Sequence, residues 1–334
     1  MIVLSDKNYR KGLYPFSSTR HVAEIRVGIL TIKEKWELLL GEKVSLSHED
    51  AEAAIPANLL PEPGNFEQII AGNYAGVESI SRPWHIFQQN SRALQADFKA
   101  LTSSLHSEPV PPGVEVINPS GIFIGKGAVI RNSIINAETG PVYIGEGAEI
   151  MEGCLIRGPF AMLNGAVLKM GTRVYGATTL GPKCTAGGEI KNSVLMGYSN
   201  KGHDGYLGDA VLGEWCNLGA GTSNSNVKNT GGEISFCLPG FENERAGTKA
   251  GLIMGDYSRS AINVSFNTGT LVGICCSVHG TAHPKKFIPD FSWGEDKYAF
   301  PKVLNDIGNW KKMKGEELTQ AEIANLEKLF KQTL

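Results

Sequence analysis

The sequence predicts a mainly β protein built around a solenoid of short parallel strands. Three observations predict it: from about residue 117 glycine becomes frequent and long helical periodicity ends, apolar residues recur at every sixth position, and the fifth position is small in most hexads, with only Ile134, Phe160, Ile190 and Val264 larger. Eight consecutive hexads run without a slip from Ile144 to Lys191. If three hexads form the sides of a triangular coil, residues eighteen apart stack about 4.8 Å apart, the usual spacing of neighbouring strands.

The fifth position of a hexad lies near a corner of the coil, where there is little room for a side chain. Four of the six cysteines occupy it: Cys154, Cys184, Cys216 and Cys276. We interpret them as small packing residues rather than reactive thiols, because buried cysteine packs as a small hydrophobe. The hexad count fails in the stretch SNKGHDGYLG and again from about residue 227 to 252, and it resumes after each break.

Two regions are predicted to precede the solenoid. Residues 1–83 form a small α/β domain, with a strand candidate at IVL and a helix over TIKEKWELLL that Gly41 can end in a left-handed conformation. Residues 84–113 form a linker helix with apolar residues at helical spacing, followed by a proline-rich linker.

The solenoid domain is predicted over 114–288, and residues 289–334 form a tail. The tail begins with an extended aromatic stretch, FIPDFSWGEDKYAFPKVL, and ends in a helix. Thr319 and Glu322 have the spacing of a capping box at the start of that helix. Its apolar face is expected to cover the open edge of the solenoid.

Composition excludes several classes of function. The 32 basic and 34 acidic residues nearly cancel, so nothing favours binding to nucleic acid or to an anionic membrane. The six cysteines form no CxxC pair and no zinc-finger spacing, which indicates a reduced, cytoplasmic protein without a metal site. No apolar run is long enough for a signal peptide or a membrane span.

A pair of cations is the first candidate for chemistry. Arg173 and Lys191 both occupy the sixth position of a hexad and are eighteen residues apart, so the coil would stack them on one outward edge. An anion between them would relieve their repulsion, and a phosphate suits arginine geometry. The alternative is a solvated edge on which Glu189 neutralises one of the two cations.

His203 lies in the first break of the repeat. A loop that leaves the coil there could lean over the Arg173 and Lys191 edge, and a neutral imidazole could then take a proton from an attacking amine or hydroxyl. Asp204 is one of several residues that could orient it. The alternative is a loop histidine that is simply exposed to solvent.

The stretch KNSVLMGYSNKGHDGYLGDAVLGEWCNLGAGTSNSN resembles the acetyltransferase core of the bifunctional N-acetylglucosamine-1-phosphate uridyltransferase/glucosamine-1-phosphate acetyltransferase family. The similarity extends without a gap from Arg173 to Asn226. It implies a left-handed parallel β-helix, a homotrimer, and acetyl-CoA as co-substrate in the groove between adjacent solenoids.

The resemblance also implies roles for particular residues. It makes His203 the catalytic base, and it assigns acetyl-CoA contacts to Asn217, Ala220 and Gly221, with the Ala220 amide near the thioester carbonyl. The residues that would bind the sugar phosphate are Arg173, Lys191, Glu189, Tyr206 and Asn226. Val227 replaces the tyrosine of the family, so the acceptor could differ from glucosamine 1-phosphate.

The N-terminal stretch LYPFSSTRHVAEIRVGILTIKEKWE resembles a diverged branch of the sugar nucleotidyltransferases. That resemblance would place Arg20, Arg26 and Lys33 near a triphosphate, with Mg²⁺ needed only if this domain is active. The glycine-rich phosphate loop is reduced to SDKNYRKGLYP, which has a single glycine. We therefore interpret the domain as reduced, and the alternative for Arg20 and Arg26 is a salt-bridged scaffold.

The sequence thus predicts an acetyl-CoA-dependent acyltransferase that acts on a sugar phosphate. Two alternatives remain open. The N-terminal domain could transfer a nucleotidyl group to a sugar 1-phosphate, or the protein could be a trimeric scaffold that binds sugar phosphates without catalysis.

Overall fold

A computed structural model of the chain describes residues 2–49, 53–280 and 282–333. It is mainly β, with a parallel β-solenoid over residues 115–293, a small α/β region before it and helices after it. This confirms the predicted fold class.

The N-terminal region contains a three-stranded parallel sheet in which β1 (Val3–Ser5) lies between β2 (Ser45–Ser47) and β3 (Ile55–Pro56). Thr31 caps helix α2 (Ile32–Leu40) through a capping box, and Gly41 ends it at φ +70°, as predicted. The predicted linker helix is α4 (His85–Thr102). The elements are β1 (Val3–Ser5), α1 (Phe16–Thr19), α2 (Ile32–Leu40), β2 (Ser45–Ser47), β3 (Ile55–Pro56), α3 (Phe66–Ile70) and α4 (His85–Thr102).

The strands of the solenoid are short because each forms one side of a coil. The first ten are β4 (Glu115–Ile117), β5 (Ile122–Ile124), β6 (Val129–Ile130), β7 (Ile134–Asn136), β8 (Val142–Ile144), β9 (Glu149–Ile150), β10 (Leu155–Arg157), β11 (Phe160–Met162), β12 (Val167–Leu168) and β13 (Arg173–Tyr175). The next six are β14 (Thr178–Leu180), β15 (Thr185–Ala186), β16 (Glu189–Gly197), β17 (Asn200–Lys201), β18 (Tyr206–Glu214) and β19 (Ser223–Asn224).

An antiparallel hairpin, β20 (Ile234–Phe236) and β21 (Glu244–Gly247), occupies the second break of the repeat. The coil then resumes and ends in a two-stranded antiparallel turn formed by its last two strands. Its strands are β22 (Leu252–Met254), β23 (Arg259–Ser260), β24 (Ser265–Phe266), β25 (Thr270–Val272), β26 (Ser277–Val278), β27 (Phe287–Ile288), β28 (Ser292–Trp293) and β29 (Asp296–Lys297).

Stacking of these strands gives the solenoid three faces. Face A contains β4, β7, β10, β13, the first halves of β16 and β18, then β19 and β24; face B contains β5, β8, β11, β14, the second halves of β16 and β18, then β22, β25 and β27; face C contains β6, β9, β12, β15, β17, then β23, β26 and β28. Asn217 bridges β17 and β23 on face C.

The interior of the solenoid follows the predicted hexads. The first residues of the eight hexads are all buried, and they are Ile144, Ile150, Ile156, Met162, Leu168, Val174, Leu180 and Ala186. The four fifth-position cysteines are fully buried as well, as predicted. Burial raises the pKa of the Cys184 thiol to about 12, so it stays protonated and packs as an apolar group.

The register first departs from the prediction at the corner before β16. Arg173 pairs with Glu189, which is sixteen residues away rather than eighteen. Gly187 and Gly188 shorten this corner by two residues, and a Cβ on Gly188 would lie 2.8 Å from the carbonyl oxygen of Gly205. The last predicted hexad is therefore out of register with the coil below it.

Strands β16 and β18 each run across two faces of the solenoid. Within each strand, a single residue turns the corner from face A to face B. Asn192 at φ 45° and Asp209 at φ 47° are in the left-handed region, which asparagine and aspartate adopt more readily than most residues. The stretch SNKGHDGYLG thus stays within the coil, with β17 and the start of β18 both paired. The prediction that a loop leaves the solenoid here was wrong.

The N-terminal region packs against face B. Outward-facing aliphatic residues of this face join the core of the N-terminal region, and they are Val194, Met196, Val211, Ile253 and Leu271. Polar contacts fix the junction: Asn90 of α4 accepts from the Gly28 amide and donates to the Ala177 carbonyl. Tyr14 donates to Asp290 near the last coil at 2.7 Å. The two regions therefore share one hydrophobic core.

The tail contains two helices, α5 (Phe300–Met313) and α6 (Gln320–Lys331). The capping box of Thr319 and Glu322 is present, as predicted. Helix α5 corrects the prediction of an extended stretch through FPKVL: Pro301 lies in its first turn, where no amide donor is needed. Both helices pack over the last coils, and Phe291 of the solenoid contacts Phe330 of α6 edge to face.

Candidate active site

Face A collects the predicted substrate-binding residues from four successive coils. Arg173 pairs with Glu189, and Glu189 pairs with Tyr206, so these three side chains form one outward column. Lys191 lies two residues further along β16, opposite Gly208. The predicted vertical stacking of Arg173 on Lys191 is wrong, because the shortened corner at Gly187 and Gly188 places Glu189 opposite the arginine.

The two predicted phosphate ligands have different partners. Arg173 Nε lies 3.7 Å from Glu189 Oε2, and both side chains are partly exposed, at 45% and 37%. Lys191 is exposed, and no carboxylate of the described residues lies within 4.0 Å of its ammonium. Of these two cations, Arg173 is therefore loosely paired and Lys191 is unpaired; exposed Arg157 of β10 also lies on face A.

A polar network holds the neighbouring groups in place. Asn226 donates from Nδ2 to the Tyr206 hydroxyl at 3.1 Å and to Asp209 Oδ2 at 2.5 Å. Asn192 donates to the other oxygen of Asp209 at 2.6 Å. Burial, with the charges of Asp209 and Glu189, raises the pKa of Tyr206 to about 12, so its hydroxyl keeps its proton and can donate.

Sequence reasoning missed the role of Asp209. The motif YLGDA includes it, but only the structure shows that this buried carboxylate orients Asn192 and Asn226. The signal in the sequence was an aspartate directly after a glycine within an apolar strand pattern. Aspartate tolerates the left-handed conformation that such a corner needs.

His203 lies in the four-residue turn between β17 and β18, at the corner between faces C and A. Its side chain is exposed. The buried Lys201 donates from Nζ to the carbonyl oxygen of His203 at 2.5 Å, which ties down the turn. Burial lowers the pKa of Lys201 to about 8. The turn is thus held through its backbone by the Lys201 side chain, while the imidazole stays open to solvent.

The residues implied in acetyl-CoA binding lie at the next corner of the same edge. The Gly221 amide donates to the carbonyl oxygen of Asp204 at 3.1 Å, which joins this corner to the His203 turn. The Ala220 carbonyl accepts from Asn263. Asn217 lies on face C just before them. The implied base and the implied acetyl-CoA contacts therefore lie on stacked corners.

The three N-terminal residues implied in triphosphate binding do not form one group. Arg20 is paired with Asp256 and lies 3.2 Å from Glu214. Arg26 donates to the Ile29 carbonyl and lies 3.4 Å from Glu34. Lys33 is half-buried in α2.

A cleft of about 560 Å³ lies between the N-terminal region, face B and α6. Arg20 and Lys33 line it, whereas Arg26 does not. Lys43 is its third cation, and six carboxylates surround them: Glu24, Glu34, Glu37, Glu214, Asp256 and Glu322. This excess of negative charge opposes the binding of a triphosphate.

One group of side chains in the described residues has the spacing of metal ligands, namely Asp6, His21 and His48. His21 accepts the Ala23 amide on Nδ1, so Nε2 carries the proton and donates to the Ser47 carbonyl at 2.9 Å. Asp6 also accepts from Arg10 at 2.8 Å. These partners fit a buried hydrogen-bond network better than a metal site.

The fold and this site define a hexapeptide-type β-solenoid protein with a polar cluster on one face. A family model described as sugar nucleotidyl transferase matches residues 2–51. Relatives named bifunctional protein GlmU are 33% identical over 116 residues in Picosynechococcus, 32% over 117 in Methanocaldococcus jannaschii and 24% over 213 in Bartonella quintana.

Those three alignments cover 32%, 34% and 60% of this chain and 22%, 28% and 44% of the relatives. The chain therefore spans less than half the length of the curated relatives it matches. The N-terminal match, the relatives and the solenoid together fit a GlmU-like family, and the predicted resemblance is confirmed. None of the described helices combines the length and apolar composition needed to cross a membrane.

Proposed function

We propose that the protein transfers an acetyl group from acetyl-CoA to an amino-sugar phosphate. The observation that carries this proposal is the arrangement on face A, where cations, a protonated phenol and a fixed amide adjoin the His203 corner. The similarity to bifunctional GlmU proteins supports it. Acyl transfer to an amine requires a base, an anchor for the acceptor and a donor to the thioester carbonyl, and each has a candidate here.

Arg173 and Lys191 bind the phosphate of the acceptor. Lys191 is free to do so, and Arg173 exchanges its 3.7 Å contact with Glu189 for a shorter, charge-assisted hydrogen bond. Tyr206 donates its phenolic proton to an acceptor oxygen, and Asn226 is held by Asp209 so that its amide oxygen faces the sugar.

His203 removes a proton from the acceptor amine as the nitrogen attacks the thioester carbonyl carbon. A C–N bond forms, the C–S bond breaks, and the proton passes from the imidazolium to the leaving thiolate of CoA. The amide at Ala220 stabilises the negative charge that develops on the carbonyl oxygen. Lys201 keeps the His203 turn in place during this exchange.

Apolar exposure on face A supports a homotrimer. Ile134, Leu155 and Tyr175 are 37%, 49% and 48% exposed on the coils next to the site, and they line a groove of about 240 Å³. Packing this face against a second subunit would bury them and place the acetyl-CoA groove between solenoids.

The test is release of free CoA thiol from acetyl-CoA with a panel of amino-sugar phosphates. The panel is needed because exposed Val227 stands where the family has a tyrosine. His203→Ala should lower turnover by about 10²–10⁴-fold while the protein stays folded. His106→Ala, an exposed histidine of the linker, serves as the matched control. Unchanged turnover in His203→Ala would refute the assigned base.

A second candidate is nucleotidyl transfer, which the family match over residues 2–51 favours. Here Lys33 and Arg20 face the cleft, and Mg²⁺ would offset its carboxylates. The measurement is pyrophosphate release from UTP, dTTP or CTP with a sugar 1-phosphate and Mg²⁺. If no nucleoside triphosphate and no CoA thioester raises the melting temperature, a non-catalytic sugar-phosphate scaffold remains.

A further inference from the structure

Face C carries a half-buried arginine without a counter-ion. Arg259 lies in the column formed by Asn217, Ser277 and Trp293, under helix α5. Its Nη1 donates to the Tyr257 carbonyl at 3.1 Å. Its Nε and Nη2 are buried without an acceptor, and no carboxylate of the described residues lies within 4.0 Å of the guanidinium.

The two unpaired nitrogens are adjacent. Nε and Nη2 form one edge of the planar guanidinium, with two parallel N–H bonds. This is the edge that binds both oxygens of a carboxylate or phosphate group at once. The opposite edge of Arg259 is partly used by the Tyr257 carbonyl, so the side chain is held with its bidentate edge unmatched.

The surroundings of Arg259 include an aromatic ring that favours a cation, but they provide no counter-ion. Trp310 of α5 lies with its ring centroid 5.0 Å from the Arg259 Cζ, which favours a cation. The nearby Asp306 is already bonded to Lys302 at 2.7 Å and to Tyr298 at 2.5 Å. Burial lowers the pKa of the Arg259 guanidinium, because the charge is poorly solvated there.

An open cleft of about 240 Å³ adjoins this arginine. Three aromatic rings line it, Trp293, Tyr298 and Trp310, and its single carboxylate is paired with Lys302. The balance of charge is therefore positive, because Arg259 has no partner. The cleft belongs to face C and α5, whereas the proposed acceptor site lies on face A.

We propose that Arg259 and the adjoining cleft bind a small oxyanion, a carboxylate or a phosphate, between face C and helix α5. The guanidinium edge takes two oxygens of the anion, and the aromatic rings contact its remaining atoms. Because Nε and Nη2 are buried, binding requires side-chain movement that exposes this edge. Binding satisfies two donors that are otherwise buried and unpaired, so the anion stabilises the folded protein.

The experiment is thermal unfolding of the full chain titrated separately with phosphate, acetate, benzoate and AMP, with chloride added to hold ionic strength constant. A specific site gives a saturable rise of about 2 °C at ten times the dissociation constant. Exclusion of phosphate from the protein surface gives a rise without saturation. Comparison of the saturable rise in melting temperature with phosphate and AMP against that with acetate and benzoate shows whether the site binds a phosphate or a carboxylate.

In a Lys191→Met background, which weakens phosphate binding on face A, Arg259→Met should abolish the saturable rise, and its melting temperature in chloride should equal or exceed that of the Lys191→Met parent. Arg245→Met, which changes an exposed arginine of the hairpin, should retain the rise. Arg259→Lys keeps the charge but loses the bidentate edge, so its affinity should fall at least about tenfold. The proposal is overturned if none of the four anions saturates on the wild type, or if Arg259→Met retains the response in the Lys191→Met background.

Discussion

The N-terminal region and face A of the solenoid use charged residues differently. In the N-terminal region, Arg20 is bonded to two carboxylates and Lys35 is paired with Asp97 in the interior. On face A, Lys191 has no carboxylate partner among the described residues, and Arg173 has only a 3.7 Å contact. Cations that are already matched stabilise the fold, whereas exposed, unmatched cations are available to a ligand.

This difference in charge pairing also distinguishes the stretch that resembles a nucleotidyltransferase from the stretch that resembles an acetyltransferase. The arginines of the STRHVAEIR stretch lie in a motif that suggests phosphate binding, yet Arg20 joins the N-terminal region to the solenoid through Asp256. Of the Arg173 to Asn226 stretch, the implied sugar-phosphate ligands lie on one open face. A motif therefore needs the geometry around it before its charges can be assigned to a ligand.

The largest expected effect on stability is at Asp97. Its Oδ2 accepts the amides of Ile29 and Leu30, and its Oδ1 is paired with Lys35. Asp97→Ala leaves a buried ammonium and two amides unpaired, so it should lower the free energy of unfolding by about 3–5 kcal/mol. Urea unfolding measures this loss, with Glu67→Ala, on helix α3, as the control. A loss below about 1 kcal/mol would remove the contrast between the two regions.

The next effect is a dependence on pH at Lys201. Its pKa is about 8 in the folded protein and 10.5 in the unfolded chain. Between those values the unfolded chain binds more protons, so stability rises with pH in this window. The penalty is complete below about pH 8 and relieved above 10.5, and its size is on the order of 3 kcal/mol.

Other lysines and tyrosines titrate in the same range, so the measurement is a difference. Unfolding of the wild type and of Lys201→Met is compared from pH 7 to 10.5. The wild type should gain stability relative to the variant as pH rises. A constant difference would show that Lys201 is solvated, and would weaken its role in holding the His203 turn.

The smallest effect on stability is expected at Lys191. Because the side chain is exposed and unpaired, Lys191→Met should change the free energy of unfolding by less than about 0.5 kcal/mol. The KM for the sugar phosphate should rise about tenfold or more, since a charged contact is lost. Lys169→Met, on another exposed solenoid lysine, should change neither quantity. An unchanged KM would show that Lys191 does not bind the sugar phosphate and that its charge is simply solvated.

Much of the solenoid could be predicted because its interior repeats a local rule. Each coil needs an apolar residue pointing inward and a small residue at the corner, and both are visible in the sequence without long-range information. The helix ends at Gly41 and Thr319 were predictable for the same reason, because caps depend on neighbouring residues.

The parts that were not predictable depend on contacts between distant segments. Two glycines can extend a corner or shorten it, and Gly187 and Gly188 shorten it because the Gly202–Gly205 turn packs directly above them. Helix α5 forms where Val303 and Ile307 can be buried against the last coils. For the site, the sequence predicted that Arg173 and Lys191 share one outward edge, but the order in which residues stack on face A followed from that corner.

The row of aliphatic residues on face B has a consequence for any attempt to divide the protein. Val194, Met196, Val211 and Ile253 are buried in a cluster to which residues of the first hundred contribute. In a fragment that begins at the solenoid, this row would become an exposed apolar patch across successive coils, and the patch would promote aggregation. The segment that resembles a nucleotidyltransferase thus covers the apolar outer surface of face B, whatever catalytic activity it has.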